Sequence, residues 1–261
     1  MSELNALFRK RIGLPENDPL TYKNLDEVLE KTAISIPFEN LSIIQKNAAD
    51  ISEDHLMIKI LRQNQGGLCY ELNPILYLFL KENGFDVDLT NGVVYQKDKK
   101  AYQKMGRTHV AILLRQDEKT YLLDTGFGGN LPLKPVPLTG EIIRSGNGEF
   151  RIKKEITEHG DHILECKLKH KDPDWRIGYA FDSRVRLADL SACTFIQQII
   201  AEHPDSPFNK TPLITKLTET GSLTLTNKSF TQWENGSMTK EDIEGEKFPE
   251  LAKKLFSISL S

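Results

Sequence analysis

The 261-residue sequence predicts an α+β protein, because the period of its apolar residues changes along the chain. Up to Gly84 apolar residues recur every three to four positions, which is the spacing of amphipathic helices. From Phe85 onward they alternate with polar residues and are punctuated by Gly and Pro, which indicates an antiparallel sheet or small barrel. The last part mixes helices with strands. Helices segregated from strands in this way are typical of the α+β class.

Two helices are predicted before the first glycine pair. Asn24 and Glu27 are the N-cap and N3 residues of a capping box, and the helix they begin continues toward Pro37. Ser52 can cap a second helix, which is expected to end at Gly66-Gly67.

A third predicted helix follows Gly66-Gly67 and ends at Asn83-Gly84, a left-handed C-terminal signal. If this helix begins at Cys69, the thiol lies at the positive end of the helix dipole, where the nucleophilic thiolate is favoured. Pro74 instead favours a helix that begins after an Asn73 cap, so the start stays open. Cys69 is therefore a candidate nucleophile, and a buried structural cysteine is the alternative.

A predicted hairpin carries the second pair of candidate residues. Its strands are Thr108–Arg115 and Thr120–Asp124. Two registers of this hairpin are considered: one sets His109 opposite Gly126, and the other sets it opposite Asp124. Both leave the His109 and Asp124 side chains on the same face of the sheet. A carboxylate beside an imidazole fixes its tautomer, and the imidazole can then accept a thiol proton.

The other predicted strands and helices are expected to have structural rather than catalytic roles. They are a strand around 164–168, a helix over about 188–202, a strand over 222–226 and a short helix over about 248–256. Cys166 lies on an apolar strand face and Cys193 on an apolar helix face, so both are expected in the core. Glu39 is expected to be a turn residue that binds backbone.

Composition excludes several classes of function. The chain has 34 Lys+Arg against 37 Asp+Glu, and this balance argues against a nucleic-acid surface. The longest apolar run, Ile75–Leu80, is far shorter than the roughly 20 residues that span a bilayer. Its three cysteines are too scattered for a disulfide framework or a zinc site. We expect a reduced, cytoplasmic protein without metal, nucleic-acid partner or membrane anchor.

Several ordered motifs together resemble the arylamine N-acetyltransferases, most strongly between Pro37 and Gly129. The order of Cys69, His109 and Asp124 is similar to that of the family's catalytic residues. The matching segments are Pro37-Phe38-Glu39-Asn40-Leu41, Gly66-Gly67-Leu68-Cys69-Tyr70-Glu71, Asp124-Thr125-Gly126-Phe127-Gly128 and His203-Pro204-Asp205-Ser206-Pro207-Phe208.

Two positions depart from the family pattern. Gln65 stands where the family has Arg, so any ion pair made by that Arg is expected to be missing. Thr125 stands where the family usually has an apolar residue. Neither change touches the three catalytic residue types, but both bear on the electrostatics and shape of the site.

The resemblance implies a helical domain over 1–84, a β-barrel domain over 85–187 and an α/β lid over 188–261. It implies a catalytic core like that of cysteine proteases and transglutaminases. Phe38 and Phe127 match aromatic positions of the acceptor pocket, where an aryl ring can stack. The candidate residues for binding coenzyme A are Gly126, Gly128 and Thr211.

The resemblance also implies ping-pong acetyl transfer. Cys69 attacks the acetyl-CoA thioester, its proton passes to His109, and Asp124 orients His109. CoA leaves, and an arylamine or arylhydrazine then takes the acetyl group. The backbone amide of Cys69 is a candidate donor to the oxyanion of each tetrahedral intermediate.

Two other classes of protein share these features. A Cys-His-Asp hydrolase, a transglutaminase-like enzyme or an amide synthase uses the same three groups with another acceptor or acyl donor. A hydrolase would cleave peptides or amides without CoA. A catalytically silent module that kept the fold is the third hypothesis, and slow alkylation of Cys69 would identify it. The acceptor, the acyl-chain preference and the oligomeric state are left open.

Overall fold

The structure is a computed structural model that describes residues 1–260. Helices dominate the first part of the chain and return after the barrel strands, as the α+β prediction expects. The α-helices are α1 Glu3–Ile12, α2 Leu25–Ser35, α3 Leu41–Ile44, α4 Glu53–Leu56, α5 Cys69–Glu82, α6 Ser191–Glu202 and α7 Phe248–Phe256. A π-helical turn, Met57–Arg62, continues α4.

The strands form two antiparallel sheets. In chain order they are β1 Phe38–Glu39, β2 Asp86–Gln96, β3 Ala101–Tyr102, β4 His109–Gln116, β5 Lys119–Leu123, β6 Val136–Pro137, β7 Ile143–Ser145, β8 Gly148–Thr157, β9 Gly160–Leu168, β10 Arg176–Phe181, β11 Leu213–Thr218, β12 Gly221–Thr226, β13 Ser229–Glu234 and β14 Ser237–Asp242. Nine strands follow the order β6-β5-β4-β2-β10-β9-β8-β7, with β3 paired to β2. Because β6 also contacts β8, this sheet curls into the nearly closed barrel that the alternation predicts.

The helix starts confirm one predicted cap and correct another. The Ser52 hydroxyl accepts a hydrogen bond from the His55 amide at 3.2 Å, as predicted, although the helix ends at Arg62, before the glycine pair. The capping box predicted at Asn24 is wrong. Its side-chain oxygen instead accepts from the Thr21 amide and hydroxyl, which closes a 3₁₀ turn ahead of α2.

α5 begins at Cys69, so the alternative start after Asn73 is wrong. Pro74 lies inside the helix, where its missing N–H removes one bond of the helix ladder. The apolar face of α5 outweighs this cost, because Ile75, Leu76 and Phe79 are all completely buried. Tertiary packing therefore decides the start of the helix that carries the candidate nucleophile.

The helical core extends across the chain. α5 packs on β2 and β4 of the barrel and on α6. Cys193, Ile196 and Ile200 of α6 belong to the same apolar cluster as the buried face of α5. Cys166 is buried within the barrel. The core placement predicted for Cys166 and Cys193 is confirmed.

The segment Phe38–Asn40 joins the N-terminal and C-terminal parts of the chain. β1 pairs with β11, which places Phe38 opposite Thr215. The Asn40 side-chain amide donates to the carbonyls of Phe208 and Thr211, both at 2.8 Å. The chain that precedes Cys69 is therefore held against the second sheet, which has five strands in the order β1-β11-β12-β13-β14.

Candidate active site

The β4–β5 hairpin has the first of the two registers that keep the candidate pair on one face. Ile112 faces Leu123, and the turn is centred between Asp117 and Glu118. Both turn residues have positive φ, 48° and 61°, as the type I′ turn of a two-residue hairpin loop requires. Extending this register sets Asp124 opposite Ala111 rather than opposite His109.

His109 and Asp124 nevertheless form a buried ion pair, with Nε2 of the imidazole 2.7 Å from Oδ2 of the carboxylate. Burial alone lowers the pKa of His109, but the charge and hydrogen bond of Asp124, together with the Cys69 side chain, raise it to about 10. Burial alone raises the pKa of Asp124, but His109 and the hydrogen bonds from Asn73 and Gly126 hold it below its ordinary value. Asp124 therefore stabilises the protonated form of His109, which is the form that the imidazole takes once it has accepted a proton.

Three further donors fix the Asp124 carboxylate. The side-chain amide of Asn73 donates to Oδ1 at 2.9 Å, and the Gly126 amide donates to the same oxygen at 2.8 Å. The Tyr179 hydroxyl donates to Oδ2 at 2.9 Å. Sequence reasoning considered Asn73 only as a helix cap and missed Tyr179 completely. Tyr179 lies on β10, and no local pattern connects it with Asp124.

The Cys69 thiol lies beside this pair. Cys69 is the first residue of α5 and is 6 % exposed. Its thiol donates to the Thr108 carbonyl at 3.5 Å, and its side chain also interacts with His109. Because Nε2 of His109 bonds to Asp124, Nδ1 is the ring nitrogen left to exchange a proton with the thiol. The structure thus brings together all three predicted catalytic residues.

The other two cysteines are chemically different. Burial raises the pKa of Cys166 to about 11 and that of Cys193 to about 12, and both side chains are completely buried. Cys69 opens instead into a cavity. Of the three thiols, Cys69 alone combines access with a basic partner.

The cavity next to Cys69 has a volume of about 150 Å³ and a mostly apolar wall. Its lining residues are Phe38, Leu68, Cys69, Val94, Gln96, Gln103, Met105, Thr108, His109, Gly126, Phe127, Ile200, Pro207 and Phe208. The Phe127 ring lies 4.9 Å from the His109 ring, and the Phe38 ring meets Phe208 edge-on at 5.6 Å. Both predicted acceptor-pocket aromatics therefore face one cavity. Within the described residues, no Lys, Arg, Asp or Glu lines it.

Of the three candidate CoA residues, only Gly126 lines this cavity. Gly126 lines the cavity, and a Cβ there would lie 2.6 Å from the Cys69 Cα. Gly128 has a positive φ of 60° and lies near the Phe38 ring, outside the cavity wall. The carbonyl of Thr211 accepts from Asn40, and Thr211 does not line the cavity either.

Residues 1–260 lack two features that are typical of other kinds of protein. They contain no group of three or more His, Cys, Asp or Glu side chains that could hold a metal ion. Over the same residues, no helix combines the length and the apolarity needed to cross a membrane.

Comparison with known proteins gives concordant matches. A family model described as N-acetyltransferase matches residues 21–261. The chain is 41 % identical to an uncharacterized acetyltransferase, YvcN of Bacillus subtilis, over 90 % of this chain and 91 % of that one.

Two solved structures superpose over nearly the whole chain. One is a Bacillus cereus arylamine N-acetyltransferase described as having a unique Cys-His-Glu catalytic triad, with a TM-score of 0.94, 42 % identity and full coverage of both chains. The other is arylamine N-acetyltransferase C of Bacillus anthracis, with a TM-score of 0.94 and 40 % identity over 99 % of this chain and 100 % of that one. This chain has Asp124 as the third member of its candidate triad. The chain belongs to the N-acetyltransferase family.

Proposed function

We propose that the protein moves an acetyl group from acetyl-CoA to an arylamine through an acetyl-Cys69 intermediate. The observation that carries this proposal is the Cys69 thiol beside the buried His109–Asp124 ion pair, at the wall of an aromatic cavity. Membership of the N-acetyltransferase family and the superposition on two arylamine N-acetyltransferases support the reaction class.

In the first half-reaction Cys69 acts as the nucleophile. Its proton passes to Nδ1 of His109 as the sulfur attacks the thioester carbonyl. The backbone N–H of Cys69 lies in the first turn of α5, where the helix offers no carbonyl acceptor for it. This N–H is therefore placed to donate to the oxyanion. The tetrahedral intermediate then collapses. The C–S bond to CoA breaks, and the leaving sulfur takes the proton from His109.

In the second half-reaction the acceptor nitrogen attacks the acetyl-Cys69 carbonyl. His109 accepts the proton that the amine loses, and the second tetrahedral intermediate collapses with release of the Cys69 sulfur. The proton returns to the thiol, so the enzyme regains its starting state. Asp124 stabilises the imidazolium in both halves and keeps the ring oriented.

The proposal extends to the residues that bind the substrates, to the domains and to the location of the protein. Phe38 and Phe127 would stack on the acceptor ring, which is supported by their place in the cavity wall. The residues proposed to contact CoA remain Gly126, Gly128 and Thr211. Arylhydrazines are proposed as further acceptors. The domains proposed are residues 1–84, 85–187 and 188–261. Three free cysteines support a reducing, cytoplasmic location.

The test is intact mass after mixing the protein with acetyl-CoA in the absence of an acceptor. We expect one acetyl adduct on the wild type and on Cys166→Ala, none on Cys69→Ala, and discharge of the adduct by an aniline. An unacetylated protein whose Cys69 alkylates quickly would favour a hydrolase or a different acyl donor. An unacetylated protein whose Cys69 alkylates slowly would favour a silent module.

A further inference from the structure

A buried cluster of charges lies beneath the segment that precedes Cys69. Lys59, on the π-helical turn, is 4 % exposed. Its ammonium lies 2.6 Å from Oε1 of Glu71 and 3.4 Å from Oε1 of Glu39. Both carboxylates are 1 % exposed, and none of the three residues lines the cavity. The proposed chemistry uses none of them.

Each carboxylate uses its second oxygen to bind backbone. Oε2 of Glu71 accepts from the Leu68 amide at 3.0 Å, which caps the start of α5. Oε2 of Glu39 accepts from the Leu41 amide at 2.6 Å, the backbone role expected for Glu39 from the sequence. Lys59 therefore links two capping carboxylates, one on each side of the glycine pair.

The glycine pair packs too closely against Pro37 and Glu71 to carry side chains. A Cβ on Gly66 would lie 1.9 Å from the Pro37 carbonyl oxygen, and one on Gly67 would lie 2.6 Å from Oε2 of Glu71. The Gly67 carbonyl also accepts from the Glu39 amide at 3.0 Å. Since Cys69 comes two residues after Gly67, a shift of the Glu71 carboxylate would displace the backbone that carries the thiol.

The charges of the cluster depend on one another. Burial alone lowers the pKa of Lys59, but Glu71 and Glu39 raise it to about 12. Burial alone raises the pKa of Glu71, but Lys59, His55 and the Leu68 amide bring it below its ordinary value. Nε2 of His55 lies 3.9 Å from Glu71. The Tyr70 side chain is near enough to interact with Glu71, with Glu39 and with Cys69.

We propose that Lys59 is a positioning residue, which fixes the Glu71 cap, and through it the Gly66–Leu68 segment, so that the Cys69 thiol stays beside His109. This inference rests on the proposed role of Cys69 as nucleophile. It also accounts for Gln65: the sequence predicts a missing ion pair next to the glycines, and Lys59 provides a buried cation there from another position.

The first experiment compares wild type and Lys59→Met by the rate of Cys69 alkylation with iodoacetamide across neutral pH, and by kcat and KM for acetyl-CoA. Because a misplaced nucleophile reacts slowly, we expect alkylation and kcat to fall about tenfold or more. KM for acetyl-CoA should change by less than about twofold, because Lys59 does not line the cavity. Alkylation of Lys59→Met at the wild-type rate would overturn the proposal.

Arg9→Gln is the matched control for lost stability. Arg9 is also 4 % exposed and also buries a cation against α5, but at the opposite end, where it donates to Asn83 at 3.1 Å. We expect this variant to lower the melting temperature while Cys69 alkylates at close to the wild-type rate. If Arg9→Gln slows alkylation as much as Lys59→Met does, general destabilisation explains both results and the proposal fails.

A double-mutant cycle tests the route through Glu71. The variant Lys59→Met/Glu71→Gln loses one positive and one negative charge, so the cluster keeps its net charge and the chain has a better chance of folding. If Lys59 acts through Glu71, the double variant alkylates no more slowly than the slower single variant. Single effects that multiply would refute that route. Alkylation needs no acetyl-CoA. The alkylation rates therefore still test the role of Lys59 even if the wild type forms no acetyl adduct.

Discussion

His109 and Asp124 meet at 2.7 Å although the hairpin register does not set them opposite each other. Asp124 comes one residue after β5, and its partner in the extended register is Ala111, two positions from His109 on the same face. Such diagonal neighbours on one face are within reach of long or aromatic side chains. The contact survives this offset because Asn73, Gly126 and Tyr179 hold the carboxylate in place.

Asp124→Asn should keep the fold and slow acetylation of Cys69 by about 10²- to 10⁴-fold, because a neutral amide stabilises the imidazolium poorly. Single-turnover acetylation measures the effect. Asp161→Asn is the control. Asp161 also pairs with a histidine, since its Oδ1 lies 2.8 Å from Nδ1 of His162, but neither residue lines the cavity. Equal losses in the two variants would contradict the triad assignment.

Gly126→Ala should reduce kcat by about tenfold to a hundredfold, because its Cβ would push on the backbone of Cys69 and on the Asn73 amide. Gly129→Ala is the matched control. A Cβ at Gly129 meets no atom within 4 Å, and its φ is not in the left-handed region. Steady-state kinetics of the two variants would show whether close packing at Gly126 matters for the reaction.

The His109–Asp124 pair predicts a pH dependence of stability. The pKa of His109 rises from 6.5 to about 10 on folding, so its contribution is complete below pH 6.5 and is lost as the pH rises through 10. Between these limits the free energy of unfolding should fall more steeply for the wild type than for His109→Gln. Denaturant titrations at several pH values test this, and parallel curves would contradict it.

The lack of Lys and Arg in the described cavity wall predicts a preference for acceptors without a negative charge. Burying a carboxylate beside Phe38 and Phe127 without a Lys or Arg partner is unfavourable, so kcat/KM should be about tenfold or more higher for p-anisidine than for p-aminobenzoate. Gln96→Lys adds a cation to the wall and should narrow this ratio. A wild type that prefers p-aminobenzoate would show that another residue binds the carboxylate.

Local sequence signals predicted the elements that local physics controls. The Ser52 cap, the end of α5 near Asn83-Gly84 and the short helix α7 all follow from capping or periodicity. The β4–β5 hairpin was predicted from the same kind of local signal, but the sequence left two registers open. The tight turn at Asp117-Glu118 selects the first of them. Asn24 is the N-cap residue of α2, as predicted, but its side chain does not cap the helix, because its oxygen accepts from Thr21 in a separate turn.

Ordered motifs and strand parity are local properties, so they were enough to predict the α+β class, the family resemblance and Cys69, His109 and Asp124 as the candidate triad. Packing between distant segments set the other features: α5 starts at Cys69 despite Pro74, Tyr179 holds Asp124, and Lys59 lies between Glu39 and Glu71. These contacts join segments far apart in sequence. Their positions depend on burial and on the pairing of buried charges, which no local pattern encodes.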